Sequence, residues 1–198
     1  MKSTLYTKIF LLLLAIPLLH GCLAVIAGGA MAGADAVHDR RSFGTVVEDR
    51  NIQLTATATI NRDKDLVRHD NNVKVVVYNG VMLLCGQVRS AELKQRAQTA
   101  AESIEGVTRL VNEIEVTDTP QGFWRRRQDN ALTARVKTGL LDITSMPGFD
   151  PTRVNVTSAH HIVYLLGLVS HEEADAVTDI ARDVGGVEKV MKLFEYTD

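Results

Sequence analysis

Around position 124 the sequence gathers residue types suited to reading a charged lipid surface. Gln121-Gly122-Phe123-Trp124-Arg125-Arg126-Arg127 sets an aromatic pair beside three consecutive arginines. Tryptophan favours the headgroup level of a bilayer, where its ring is half buried and its N–H stays wet. A basic residue near an anionic surface contributes about 1 kcal/mol. Residues 124–137 hold five basic groups, Arg125, Arg126, Arg127, Arg135 and Lys137, against one acid, Asp129. If a helix begins near Trp124, positions 124, 127, 131 and 135 share one stripe. That stripe presents Trp124, Arg127, Ala131 and Arg135 outward, while Leu132, Val136 and Leu140 pack inward. The same segment also suits a purely structural part, with Phe123 and Trp124 sealing two domains together and the arginines solvated.

The remaining reactive side chains do not assemble into a catalytic pattern. His160-His161 stands where a hairpin turn is expected, and adjacent histidines there point apart, a poor metal pair without further ligands. His171-Glu172-Glu173 opens a helix, where acids favour the positive end of the dipole. Cys85 falls inside an apolar strand and reads as a small core hydrophobe. His38, His69 and Asp63-Lys64-Asp65 read as solvated surface. No nucleophile–base arrangement, phosphate loop or cysteine cluster appears. The expectation is a protein that is not an enzyme and needs no metal or cofactor. The net charge of −2 gives no bulk electrostatic attraction to nucleic acid.

The N-terminal segment has a chemistry of its own. Lys2 and Lys8 precede the apolar run from Ile9 to Gly21, and Cys22 follows at once. A basic start, a short apolar core and a small residue before the cut describe a secretory signal. The run is short of the ~20 residues that a membrane-spanning helix needs. The end of this segment resembles the lipobox of bacterial lipoproteins, with Leu19, Gly21 and Cys22 in its places and His20 unusual for its own. That resemblance implies cleavage before Cys22 and lipidation of its thiol by diacylglyceryl and palmitate-like chains. Each buried CH₂ contributes about 0.8 kcal/mol, so two or three such chains hold a protein on a membrane nearly permanently. Leu23 in place of an aspartate resembles an outer-membrane address. Losing residues 1–21 with Lys2 and Lys8 leaves 20 basic and 24 acidic side chains, a net of −4. Cys85 is then the only other thiol, so no intramolecular disulfide is available and packing must carry the fold. Residues 27–36, rich in glycine and alanine, read as a flexible tether.

Beyond the tether the chain repeats itself. Residues 72–88 align with 153–169 at an offset of 81, and Ile104-Glu105-Gly106-Val107 matches Val184-Gly185-Gly186-Val187 at 80. Ile52, Ala56 and Ile60 match Leu132, Val136 and Leu140 at the same offset of 80. In each copy a four-residue apolar period gives a helix, and Val73/Val75/Val77 or Val154/Val156 gives a half-buried strand. Asn79-Gly80 tolerates the positive φ of a two-residue hairpin. A second strand follows over 81–88 or 162–169. Helices over 90–103 and 171–184 come next, with Ala97, Ala100, Ala101, Ile104 and Ala174, Val177, Ile180, Ala181 inward. Gly106 and Gly186 end them in left-handed caps. Strands over 107–117 and 187–197 complete an α-β-β-α-β order.

That order resembles the BON domain (bacterial OsmY and nodulation domain). The likeness rests on Gly86-Gln87-Val88 and Gly167-Leu168-Val169 before the second helix, and on Gly106-Val107 and Gly186-Val187 after it. Val111-Asn112-Glu113-Ile114 matches the terminal-strand pattern. A lipobox followed by two such domains resembles the dual-BON outer-membrane lipoproteins of Gram-negative bacteria. The resemblance implies an α+β fold of two tandem domains, each with two helices packed on a three-stranded mixed sheet. It also implies anionic-phospholipid binding at the periplasmic face of the outer membrane and support of envelope integrity. In those lipoproteins lipid contact falls on the first helix of the second module, through an early aromatic. Ala131 stands in that place here, and Trp124, two turns earlier, substitutes if the helix reaches it. The expected organisation is a signal peptide over 1–21, lipidated Cys22 and tether over 22–45, BON domains over 46–118 and 128–198, and a linker over 119–127. A protein-interaction or chaperone-like module for envelope proteins or cell-wall machinery is the alternative to phospholipid binding.

Overall fold

The structure, a computed structural model, describes residues 39–68, 71–120, 122–143, 146 and 148–198, without the side chains of residues 123–126. Cys22, the tether up to residue 38, His38 and His69 therefore lie outside the described residues. Residues 39–198 form one compact unit.

Each half starts with a long helix. α1 spans Phe43–Arg62 and buries Asp49, Ile52, Ala56 and Ile60, the four-residue period seen in the sequence. β1 (Asn72–Tyr78) and β2 (Val81–Val88) pair antiparallel through Asn79-Gly80. Both turn residues have positive φ, 50° and 74°, the left-handed geometry that fits the right-handed twist of the strands. α2 (Ala91–Glu102) is capped by Ser90, whose Oγ accepts from Leu93 N–H. It carries the chain to β3 (Arg109–Val116), which lies parallel to β2. The second half repeats this order with α3 (Phe123–Leu141), β4 (Val154–Ala159), β5 (Ile162–Val169), α4 (His171–Asp183) and β6 (Lys189–Tyr196). Both sheets are mixed and three-stranded, with the middle strand of the sequence in the centre. The α+β reading and the α-β-β-α-β order hold throughout.

One glycine shows how tightly the hairpin is specified. Gly86 has φ +115°, and a Cβ there would stand 2.0 Å from the Asn72 carbonyl oxygen. Only glycine lets β2 pass β1 at that point. Gly139, in the middle of α3, is explained by packing. A Cβ there would come within 3.0 Å of Ile180 Cγ2, so the glycine lets α3 and α4 approach closely.

The strands differ from the half-buried reading. One face of each sheet packs on its own helices: Val75, Val77, Met82, Leu84, Val88 and Ile114 with α1 and α2, and Val154, Val156, Val163, Leu165, Val169 and Phe194 with α3 and α4. The opposite faces form a third core. Val76, Tyr78, Leu83 and Cys85 of the first module meet Ala159, Tyr164 and Leu166 of the second. The architecture is four layers, helices–sheet–sheet–helices, with the sheets stacked on each other. Strands bearing bulky apolar residues on both faces must be covered on both, and each module covers the other.

The helix starts also differ from the expected boundaries. α1 begins at Phe43 and α3 at Phe123, inside the stretches read as tether and linker. Ser42 caps α1 by accepting from Thr45 N–H at 3.1 Å. Asp39–Arg41 are held on the folded body by arginine contacts. The Asp63-Lys64-Asp65 run is likewise tied down, since Arg96 of α2 pairs with Asp63 at 2.6 Å and with Asp65 at 3.3 Å.

Candidate functional site

α3 carries every candidate lipid-contact residue on one element. Its N-cap is Gly122, which makes no side-chain capping bond, and the helix runs unbroken to Leu141. Trp124, Arg125 and Arg126 therefore belong to its first turn, the condition on which the sequence stripe depended. Leu132, Val136 and Leu140 are buried against the sheet at 2%, 0% and 1% exposure. Arg127, Ala131, Arg135 and Lys137 are exposed on the other side.

The single acid of α3 is not on its exposed side. Asp129 is only 4% exposed and borders a small pocket with Ala159, His160 and Gly86. Its counterpart at an offset of 80, Asp49 of α1, shows what an acid does at this place. Its carboxylate accepts from Asn79 N–H at 2.6 Å and Gly80 N–H at 2.8 Å, fixing the hairpin tip beneath the helix. Asp129 sits beside the equivalent turn, His160-His161, and no buried side-chain polar atom among the described residues lacks a partner. The exposed side of α3 thus bears basic side chains, and the acid of the same helix is turned inward. Arg135 is engaged, donating to the Gly185 carbonyl at 2.8 Å, and so also steadies the loop after α4.

The histidines have structural partners. His160 and His161 take φ of 49° and 61°, the same left-handed turn as Asn79-Gly80. His161 Nδ1 lies 3.0 Å from the Gly186 carbonyl. His160 reaches across the modules, with Nδ1 3.0 Å from Gln87 Nε2 and Nε2 3.6 Å from Glu115. It borders a polar cleft of about 310 Å³ with Gln87, Glu115, Thr117 and Gly122, under the start of α3. His171 stacks on Tyr196 at 3.9 Å and pairs with Asp198 at 2.8 Å, which holds the Asp198 carboxyl below its ordinary value. Among the described residues no group of three His, Cys, Asp or Glu side chains could hold a metal ion, and no helix is long and apolar enough to cross a membrane. Cys85 is 0% exposed between the sheets, and burial pushes its thiol up to about 12.

Two features escaped the sequence reading. The first is the clamp at the N-terminal side of α1. Arg40 donates to both oxygens of Glu173 at 2.5 and 2.9 Å and to the Leu168 carbonyl at 3.1 Å. Burial alone would raise Glu173, but the bonds from Arg40 and Ser170 N–H, with Arg153 nearby, hold it below the usual carboxylate value. Arg41 bonds Asp49 at 2.7 Å and lies over the Tyr78 ring at 3.7 Å. The Tyr78 hydroxyl donates to the Arg153 carbonyl and accepts from Leu168 N–H, so β1 is fastened to the chain entering β4 and to β5 of its neighbour. An arginine pair beside a helix start is too common a pattern to signal this. The second feature is on α1, where Phe43, Val47 and Leu54 remain exposed.

The BON domain family model matches residues 48–118 and 128–198. The chain is 34% identical over 192 residues to the protein named outer membrane lipoprotein DolP of Haemophilus influenzae, covering 96% of each chain. It is 34% identical over 158 residues to the 21 kDa hemolysin of Actinobacillus pleuropneumoniae, covering 80% of this chain and 79% of the relative. It is 30% identical over 178 residues to osmotically-inducible protein Y of Escherichia coli, covering 84% and 87%.

Proposed function

The chain belongs to the BON-domain family, as a protein of two such domains, and from that premise we propose that it is a lipid-anchored envelope protein that binds anionic phospholipid through α3. Cys22 carries the acyl chains, the outer membrane's periplasmic face is the site, and support of envelope integrity is the role. The likeness to a named outer membrane lipoprotein over 96% of both chains supports the location. A single observation carries the lipid reading. α3 starts at Phe123, so Trp124 and Arg125–Arg127 join exposed Ala131, Arg135 and Lys137 on one helix whose only acid, Asp129, is turned inward. Tryptophan favours the headgroup level, and each basic residue beside an anionic surface contributes about 1 kcal/mol at low salt.

Vesicle flotation of the protein lacking residues 1–22 tests the folded part without its anchor. Binding to phosphatidylglycerol or cardiolipin vesicles, weakened by salt and by Trp124→Ala combined with neutralised Arg125, Arg126 and Arg127, is the expected result. Unchanged binding by that variant rejects the site. Absence of binding, together with co-purification of an envelope protein, replaces phospholipid by a protein partner. Mass spectrometry of the membrane fraction tests the anchor, since an intact N-terminus or an unmodified Cys22 sulfur removes it.

A further inference from the structure

We propose that α1 is a second seat for an anionic bilayer, made by Phe43, Val47, Arg50, Leu54 and Arg62 on the helical layer opposite α3. Phe43, Val47, Arg50 and Leu54 recur at helical spacing on the side away from buried Asp49, Ile52, Ala56 and Ile60. Phe43 is 62% exposed, Val47 43% and Leu54 53%. Arg50 is exposed between Val47 and Leu54, and Arg62 is exposed in the last turn, flanking the end of the stripe. The two acids of α1 are off this stripe. Asp49 is buried under the hairpin, and Glu48 turns toward Gly106, its Oε1 3.7 Å from where a Cβ would stand there.

The repeat makes the comparison between the two helices direct. At an offset of 80, Val47, Arg50 and Leu54 of α1 stand where α3 has Arg127, Asn130 and Ala134. α3 offers mostly charge, whereas α1 offers apolar bulk accompanied by arginines, the pattern of a helix lying in the interfacial plane. Phe43, Val47 and Leu54 supply the apolar area whose removal from water drives such seating. Arg50 and Arg62 add attraction to an anionic membrane and none to a zwitterionic one.

The chain leading into α1 favours a bilayer over other occupants. Asp39–Arg41 are fixed to the body through Glu173, Asp49 and Tyr78, so the segment from Cys22 reaches the fold beside the first turn of α1. Seventeen Cα steps separate Cys22 from Asp39, a reach of at most about 60 Å, so an anchor at Cys22 keeps the folded body, α1 included, within reach of a bilayer. A second copy fits less well, because it would bring Arg50 and Arg62 of both copies into one interface with no acid on the stripe to answer them. The paired sheets separate α1 from α3, so a flat bilayer takes one of the two helices at a time. The inference goes beyond the α3 reading, and its argument for the occupant rests on the Cys22 anchor.

The sole tryptophan of the chain provides the test. Full-length lipidated protein carrying Phe43→Trp and Trp124→Phe is reconstituted into vesicles with brominated acyl chains, either anionic (phosphatidylglycerol) or zwitterionic (phosphatidylcholine). A blue shift and loss of emission in anionic vesicles, cancelled by Leu54→Glu, is expected. Val47→Trp in the same background should behave alike, and unaltered thermal unfolding shows that each variant is folded. An unquenched aqueous spectrum from both positions in anionic vesicles overturns the proposal, and equal quenching in zwitterionic vesicles overturns its anionic character. The chain with native Trp124, in the same vesicles, separates the two readings. Quenching at 124 alone removes the α1 seat and leaves α3, whereas quenching at 43 alone does the reverse.

Discussion

Leu83→Ala probes whether the two modules are one folding unit. Leu83 is 0% exposed and projects from β2 into the core shared by the two sheets. Truncating a fully enclosed leucine costs ~2–5 kcal/mol, the transfer loss plus the cavity left behind. With a urea dependence of ~2 kcal/mol per M, the midpoint falls by about 1–2.5 M. The decisive reporter is Trp124, the sole tryptophan, which belongs to the other module. If the stacked sheets make residues 39–198 a single cooperative structure, the fluorescence of Trp124 and the far-UV circular dichroism fall together at the lowered midpoint. Leu84→Ala is the companion variant, since Leu84 is equally buried but faces α1 and α2. It too should carry Trp124 with it. A Trp124 transition that stays in place for both variants would mean that the modules unfold separately, and would refute the four-layer core.

Gly86→Ala should cost more than any cavity in the core, because its Cβ would fall 2.0 Å from the Asn72 carbonyl at a φ of +115°. Gly122→Ala, with nothing within 4 Å, should be folded and within about 0.5 kcal/mol of wild type by chemical denaturation. Glu173→Gln should lose about 1–3 kcal/mol at pH 7 by weakening the Arg40 pair. Because the folded carboxyl sits below its ordinary 4.5, that stability is present above pH 4.5 and drains as pH falls through the lowered value. The gap between wild type and variant should therefore close in acid, and a gap that persists there would show that the carboxylate charge is not its source. Cys85, in a chain carrying Cys22→Ala, should resist thiolate-directed reagents at pH 8 until denaturant is added, since burial pushes its thiol up to about 12. Fast labelling of the native protein would contradict its place between the sheets.

Most of the secondary structure was legible because each element announces itself locally. The four-residue apolar period of α1 and α3, the Asn79-Gly80 turn and the positive-φ Gly106 and Gly186 all act over a few residues. The stacking of the sheets was harder to see, although its signal is present. Val75-Val76-Val77-Tyr78, Val81-Met82-Leu83-Leu84-Cys85 and Ile162-Val163-Tyr164-Leu165-Leu166 are continuous apolar runs. A strand with one wet face alternates, and these do not. The basic and aromatic make-up of α3 was legible in composition, but the inward turn of Asp129 depends on a hairpin tip about 30 residues away. The Arg40–Glu173 clamp joins residues 133 apart, and no local pattern encodes such a pairing.

The doubling of the module has a physical reason that also constrains function. One copy, about 70 residues with two helices on a single sheet face, would expose Val76, Tyr78, Leu83 and Cys85 to water. Two copies placed sheet to sheet remove that face from solvent, which leaves the helices, the hairpin tips and the strand edges as the outer surface. The sheets, being covered, are then free to remain apolar, while the helices can diverge in what they present. That divergence is visible at matched positions. α3 has Arg127, Asn130 and Ala134 where α1 has Val47, Arg50 and Leu54, although both helices bury the same four-residue period and the same inward acid. Keeping the buried side of each helix preserves the fold, so substitutions that distinguish the two modules can accumulate at little cost only on the outward sides. Whatever the folded body recognises, the two modules therefore present it with different chemistry: charge-rich on α3, apolar and basic on α1.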